Sequence, residues 1–343
     1  MRKGDTILFE TPPRVAGYGS VGGRREARGP LAKEFDTLIT ETQCGEKTWE
    51  KAESTFARTA LETALRRAGV SAADLCAVFA GDLQCQCTAS AYLMRDVDAP
   101  YLGLYGACST MAEGLALAAC MAAAGYAGQA LAFTSSHFCA AERQFRTPLE
   151  YGGKRTPTAQ WTATAAGACL VRGSGAAGVP VLSATIGRVC DAGVKDINNM
   201  GAAMAPAAAQ TLLHYFAGTG TTPQDFDAIF TGDLGEVGST LLHELMHKAD
   251  CPVENHQDCG CLLYDVAAQN VQAGGSGAGC SAAVLAAHVL PGLVERRWRR
   301  VLFLSTGALM SPTVVQQGES IPGIAHLVWL SHKKSGEVAS CRC

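Results

Sequence analysis

The sequence predicts an α/β fold made of two similar halves, and three observations carry that expectation. The chain repeats itself: Asp74-Leu-Cys-Ala-Val-Phe-Ala-Gly-Asp-Leu83 returns as Asp225-Phe-Asp-Ala-Ile-Phe-Thr-Gly-Asp-Leu234, with six identities in ten at an offset of 151. A second repeat follows in the same order, at an offset of 171: Gly106-Ala-Cys-Ser109 matches Gly277-Ala-Gly-Cys280, and Leu131–Ser136 matches Leu302–Gly307. Two ordered matches indicate internal duplication. Finally, short apolar runs alternate with helical patterns, which reads as largely parallel sheets covered by helices.

The elements follow in order. Trp49, Ala52, Phe56, Ala60 and Ala64 form an apolar stripe that predicts a helix over 49–68, and further helices are expected over 108–125, 203–217, 239–248 and 280–294. Strands are expected near 75–80, 130–135, 181–187, 227–231, 262–266 and 301–305. The halves divide near Gly173–Gly178, giving units of 1–175 and 176–332 and a tail, 333–343, expected to be disordered. Between Glu113 and Glu142 lie 28 residues without a formal charge, long enough to span a bilayer. Their Ala and Gly content, Gln129 and the ending Thr134-Ser-Ser-His137 favour a buried helix followed by a buried strand.

Composition excludes several classes. The chain has 343 residues, 28 Lys+Arg against 31 Asp+Glu, and 48% hydrophobic residues, enough for a large core without staples. A net charge of −3 with interspersed signs provides no nucleic-acid footprint. The start Met1-Arg-Lys-Gly-Asp5 is charged where a signal peptide needs an apolar core, so the 15 cysteines are expected to stay reduced inside the cell. The pairs Cys85/Cys87, Cys259/Cys261 and Cys341/Cys343 are spaced C-x-C, unlike the C-x2-C of zinc sites, and no metal is expected.

The richest constellation is Leu104-Tyr-Gly-Ala-Cys108-Ser-Thr110, which opens the long helix. Backbone N–H groups at a helix start favour anions and a thiolate, so Cys108 reads as a nucleophile, a pocket wall or an inert buried thiol. The matching loop Gly274–Gly279 of the second half is built for close backbone approach. Three other motifs are weaker. His243-Glu-Leu-Met-His247 fits the H-E-x-x-H zinc pattern but lacks its extension, having Asp250 and Val253 where Gly and His would follow. Gly17-Tyr-Gly-Ser-Val-Gly22 fits G-x-G-x-x-G but runs into Gly-Arg-Arg-Glu-Ala-Arg-Gly-Pro30 instead of an apolar helix. Glu295-Arg-Arg-Trp-Arg-Arg300 is a basic helix end able to touch anionic headgroups.

Over roughly residues 5–331 the chain resembles the thiolase-like superfamily, and within it the stage V sporulation protein AD family. The motifs that carry the resemblance are Tyr105-Gly-Ala-Cys-Ser-Thr110, Thr134-Ser-Ser-His137 with Ala141-Glu-Arg-Gln-Phe-Arg146, Glu150-Tyr-Gly-Gly153, and Met200–Ala208. They continue through Thr231-Gly-Asp-Leu234, Asp258-Cys-Gly260, Ala273-Gly-Gly-Ser-Gly277, Thr306-Gly-Ala-Leu309 and Ile321-Pro322…Ile324-Ala-His326. The resemblance implies a five-layered α-β-α-β-α arrangement, binding of dipicolinic acid (pyridine-2,6-dicarboxylate), and its uptake into the developing spore alongside other proteins of the stage V sporulation A operon at the spore inner membrane. It implies a homodimer joined by a sheet edge of the first half, for which strand 130–135 is the candidate, and no resident cofactor.

Condensing enzymes of the superfamily need a Cys with two polar partners, His/His or His/Asn, from the second half. Here those segments read Thr231-Gly-Asp233-Leu234 and Gly275-Ser276-Gly277-Ala-Gly279, with neither His nor Asn, so condensation is not expected. The alternative is an acyltransferase similar to 3-oxoacyl-carrier-protein synthase, with Cys108 as nucleophile and His137 as base. A planar dianion asks for helix N-termini, donors and apolar walls. The candidates are Cys108, His137, the loop Cys190–Asn199 with Asp191, Lys195 and Asp196, and Asp233, Ser276 and Gly277. Lys195, Arg143 or Arg146 would balance charge, while Asp191 and Asp233 would be protonated, orient donors, or hold Ca2+ chelated by the ligand.

Overall fold

The computed structural model describes residues 1–145 and 155–332. Its strands are β1 (Arg2–Lys3), β2 (Thr6–Leu8), β3 (Arg14–Gly22), β4 (Thr37–Leu38), β5 (Ala77–Gly81), β6 (Tyr101–Gly103), β7 (Gln129–Ser136) and β8 (Trp161–Thr162). They continue as β9 (Ala165–Arg172), β10 (Val179–Thr185), β11 (Ala228–Thr231), β12 (His256–Asp258), β13 (Gly275–Ser276), β14 (Arg300–Ala308) and β15 (Gly323–Ser331). The helices are α1 (Trp49–Ala68), α2 (Thr88–Met94), α3 (Thr110–Ala123), α4 (Phe138–Phe145), α5 (Met200–Thr219) and α6 (Gly235–Lys248). After these come α7 (Cys259–Leu263), α8 (Val266–Gln269), α9 (Ala278–Val284), α10 (Leu290–Val294) and α11 (Pro312–Gln316). A π turn over Leu285–Val289 joins α9 to α10.

The main strand order is β12-β11-β14-β15-β10-β3-β9-β7-β5-β6. It falls into two equivalent sets of five, β3-β9-β7-β5-β6 and β10-β15-β14-β11-β12, joined where β10 pairs with β3 at Val179↔Val15 and Pro180↔Arg14. The sheets are mixed, not largely parallel. Strands separated by a crossover helix run parallel (β5 with β6 and β7, β11 with β12 and β14), whereas β9 and β15 return antiparallel beside β7 and β14.

Period-two alternation sorts the core into layers. In β7, Ala130 and Ala132 face a central layer that also holds Met111, Leu115 and Ala119 of α3 and Ala282 and Ala283 of α9, while Leu131 and Phe133 face α1. In β14, Val301 and Phe303 face the same central layer, and Leu302 and Leu304 pack toward Met204, Leu212 and Leu242 of α5 and α6. The result is the five-layered α-β-α-β-α arrangement. A helix sandwiched between two sheets must be apolar all round, and this accounts for the uncharged stretch: it is α3 followed by β7. Among the described residues, no helix is long and apolar enough to cross a membrane.

Three further expectations need correction. The segment 262–266 is not a strand; Asp258 caps α7 by accepting from the Cys261 N–H, and Asp265 caps α8 by accepting from the Ala268 N–H, and these caps outweigh the local apolar run. The G-x-G-x-x-G segment, set aside as a dinucleotide motif but absent from the expected strands, is strand β3. Its glycines let α1 lie directly against the strand, since a Cβ on Gly17 or Gly19 would sit 2.2 Å from the Ala64 carbonyl oxygen or 2.3 Å from that of Ala60. The third concerns the dimer edge: β7 is interior, paired on both sides, and the open edge of the first half is β6. The tail 333–343 lies outside the described residues.

Candidate functional site

The loop before α3 is pressed between the carboxyl ends of one strand from each half, β5 and β14. A Cβ on Gly81 of β5 would lie 2.0 Å from the Leu104 carbonyl oxygen, and one on Gly307 of β14 would lie 2.6 Å from that of Gly106. Ala107 takes the left-handed conformation (φ 53°), and a single 3-10 turn, Ala107–Ser109, leads into α3. Cys108 is thereby held at the head of the helix, 8% exposed, at the wall of a cavity of ≈ 300 Å³.

Across the cavity Ser276 Oγ lies 3.9 Å from Cys108 Sγ and donates to Asp233 Oδ2 at 2.9 Å. The same carboxylate oxygen accepts the Gly277 N–H at 3.0 Å, and Oδ1 accepts the Thr306 hydroxyl at 2.8 Å. Asp233 is fully buried, and desolvation raises its pKa to about 6. Burial first, and the Asp233 carboxyl second, push the Cys108 thiol well above its ordinary value, overriding whatever the helix start contributes. Asp258 fixes the Asp233 loop from behind: its carboxylate accepts from Thr231 Oγ1 and from the N–H groups of Leu234, Gly235 and Cys261.

The remaining wall is mostly apolar, formed by Leu83, Phe145, Met200, Met204 and Leu309 among others. Polar groups reach it from Thr162, Asn198, Ser311, Tyr105, Glu142 and Gln160. Gln160 Nε2 donates to the carbonyls of Asp233 and Gly275, while its Oε1 has no partner. Glu142 is paired with Arg155 at 2.9 Å. The first turn of α5 lines the cavity through Met200 and Met204, so the N-termini of α3 and α5 both reach it.

Of the residues expected from sequence, Cys108, Asp233, Ser276 and Gly277 come together here. His137 does not, which corrects its place as a base for Cys108. Its ring is fully buried, stacked on Trp49 (centroids 5.6 Å apart). Nδ1 accepts the Cys139 N–H and Nε2 donates to the Thr42 carbonyl, so both nitrogens are occupied within the core. Asp191, Lys195 and Asp196 are exposed and hold their own loop: Asp191 accepts from Ser320 and the Gly193 N–H, Lys195 donates to the Gly318 carbonyl, and Asp196 accepts the Asn198 N–H. That loop meets the cavity through Ile197 and Asn198 instead. Arg143 pairs with Glu50; Arg146 and the Glu150–Gly153 motif lie outside the described residues. Sequence reading passed over Gln160, Thr162 and Met204, because nothing local marks a residue that becomes a wall only when the halves close.

The H-E-x-x-H histidines are on α6, where His243 meets His256 at 3.2 Å and His256 meets Thr231 Oγ1 at 2.7 Å. No group of three or more His, Cys, Asp or Glu among the described residues is placed to hold a metal ion. In the basic helix end, Arg297 pairs with Glu34 and Glu295 and covers Trp298.

Fold and site together define a thiolase-like chain with a buried cysteine at the head of its central helix. Solved structures agree on the fold. The 3-oxoacyl-[acyl-carrier-protein] synthase III of Aquifex aeolicus aligns at TM-score 0.57 and 13% identity, covering 93% of this chain and 99% of that one. Cerulenin-bound OleA of Xanthomonas campestris aligns at TM-score 0.59 and 14% identity, covering 94% and 100%. At the level of sequence, the model of the stage V sporulation protein AD family matches residues 3–331. The stage V sporulation protein AD of Bacillus subtilis (strain 168) is 42% identical over 322 residues, 94% of this chain and 95% of that protein. The chain belongs to the stage V sporulation protein AD family.

Proposed function

We propose that this protein is a non-catalytic carrier that holds dipicolinic acid in the cavity beside Cys108 during sporulation. The observation that carries the reading is Asp233. A buried carboxyl stands where a condensing enzyme would need a histidine, and burial, with that carboxyl adding to it, keeps the thiol protonated instead of activating it. Among the described residues no histidine lines the cavity, so the His partner of a condensing site has no counterpart there.

The cavity suits a small flat acid. Its volume, ≈ 300 Å³, is at the lower end of ligand pockets, and Met200, Met204, Leu83 and Phe145 provide walls for a ring. Ser276, Thr162, Asn198 and Ser311 provide hydroxyl and amide donors, and the N-termini of α3 and α5 favour carboxylates. Among the described residues the only charged side chain lining it is Glu142, which Arg155 balances, so the lining offers a bare dianion no cationic side chain of its own, which favours the Ca2+ chelate, whose charges cancel. Delivery into the spore would run through the other proteins of the stage V sporulation A operon at the spore inner membrane, with the carrier as a homodimer joined along β6.

Calorimetric titration with dipicolinate, with and without Ca2+, tests the reading: saturable binding, tighter with Ca2+, is expected. An acyl increment on Cys108 after incubation with acyl-CoA, seen by mass spectrometry, would overturn it in favour of an acyltransferase.

A further inference from the structure

The arginine-rich segment after β3 forms a second cavity that the site above does not use. Arg24, Arg25 and Arg28 flank a cleft of ≈ 460 Å³ whose far side carries Phe138 and Trp161. These two rings stack at 3.9 Å between centroids and 11° between planes. The Arg25 guanidinium lies 3.7 Å over the Trp161 ring and donates to the Gln269 carbonyl, and Arg155 approaches the same stack, 4.8 Å from Trp161 and 5.2 Å from Phe138. Arg24 and Arg28 are exposed and form no ion pair among the described residues.

The acidic group in this cleft is Glu26, and it does not cancel the guanidiniums. Its side chain is fully buried, with Oε1 taken by the Thr164 N–H and the Tyr264 hydroxyl and Oε2 without a partner. Burial holds that carboxyl toward its neutral form. In a chain of net charge −3, this is a concave cluster of arginines against an aromatic wall, in which Arg24 and Arg28 have no acidic partner among the described residues. Guanidiniums recognise phosphate oxygens bidentately, and here two of them are free to do so. The short strand β8 separates the two cavities: Trp161 faces this cleft and Thr162 faces Cys108.

We propose that the cleft between the Arg24–Arg28 turn and the Phe138–Trp161 stack is a second binding site, for a compact free polyanion with phosphate-type oxygens. It is independent of what the Cys108 cavity holds.

Inorganic pyrophosphate is the probe, titrated calorimetrically against the full chain and followed by tryptophan fluorescence. One saturable site is expected, with a fluorescence change that Trp161→Phe abolishes. The double variant Arg24→Ala/Arg28→Ala is expected to weaken pyrophosphate at least about tenfold, while its melting temperature and its dipicolinate titration stay as in the parent. Three results would overturn the proposal: no saturable binding, equal affinity in the double variant, or binding to phosphatidylglycerol vesicles without binding of free pyrophosphate.

Discussion

Asp233 occupies the position on which the chemistry of the site turns. With three donors converging on it from Ser276, Gly277 and Thr306, it is a structural acceptor as well as an electrostatic brake on Cys108. Its carboxyl is raised from 3.8 to about 6, so its burial costs nothing below 3.8, costs progressively more through that window, and costs in full above 6. The native protein should therefore gain stability relative to Asp233→Asn as pH falls from 7 to 4, by up to about 3 kcal/mol; urea unfolding at both pH values would show it, and a flat difference would remove the argument. Cys108→Ala should weaken dipicolinate only a few-fold, because the thiol is a wall. His137→Ala should leave that affinity within twofold and lower stability by about 2–4 kcal/mol through its core cavity and lost hydrogen bonds. Comparing titration with thermal unfolding for these variants separates the two roles. Cys108 and Asp233 were legible in the sequence because the duplicated motifs mark them. The burial of His137 was not, because a histidine after an apolar strand looks the same whether it faces a ligand or Trp49.

The elements were legible where periodicity is local and hidden where it is not. Helix α1 follows from its apolar stripe and is capped by Thr48, whose hydroxyl accepts the Lys51 N–H. Strand β3 escaped notice because Gly17, Gly19 and Gly22 interrupt its apolar run; Gly17 and Gly19 answer to α1, an element about 30 residues away. The same logic holds Gly167 in β9, where a Cβ would lie 2.1 Å from the Ala282 carbonyl oxygen of α9. Gly167→Ala should thus prise the central helix from its sheet and cost about 3 kcal/mol or more. Denaturant unfolding measures this, and a near-neutral effect would mean that the middle layer yields more readily than its packing implies.

The whole molecule consists of two five-stranded sets with α3 and α9 between them, and the cavity exists only because both sets contribute: Cys108 comes from one, and Ser276 and Asp233 from the other. At this scale three exposed apolar residues accompany the open edge, Tyr92 at 50%, Leu102 at 49% and Tyr105 at 53% exposure on or next to β6 and the preceding helix. If β6 joins two copies, Leu102→Glu with Tyr92→Glu should convert a dimer to a monomer in sedimentation velocity; an unchanged coefficient would place the interface elsewhere. The amino-acid sequence alone determined the α/β class, the duplication, the two buried segments inside the uncharged stretch and the cysteine at a helix start, because periodicity and repetition are properties of neighbours along the chain. Which strands form an edge, which histidine is core and which residues wall the cavity were decided only by tertiary structure. Those outcomes depend on which surfaces of the two halves exclude water from each other, and residues more than a hundred positions apart settle that together.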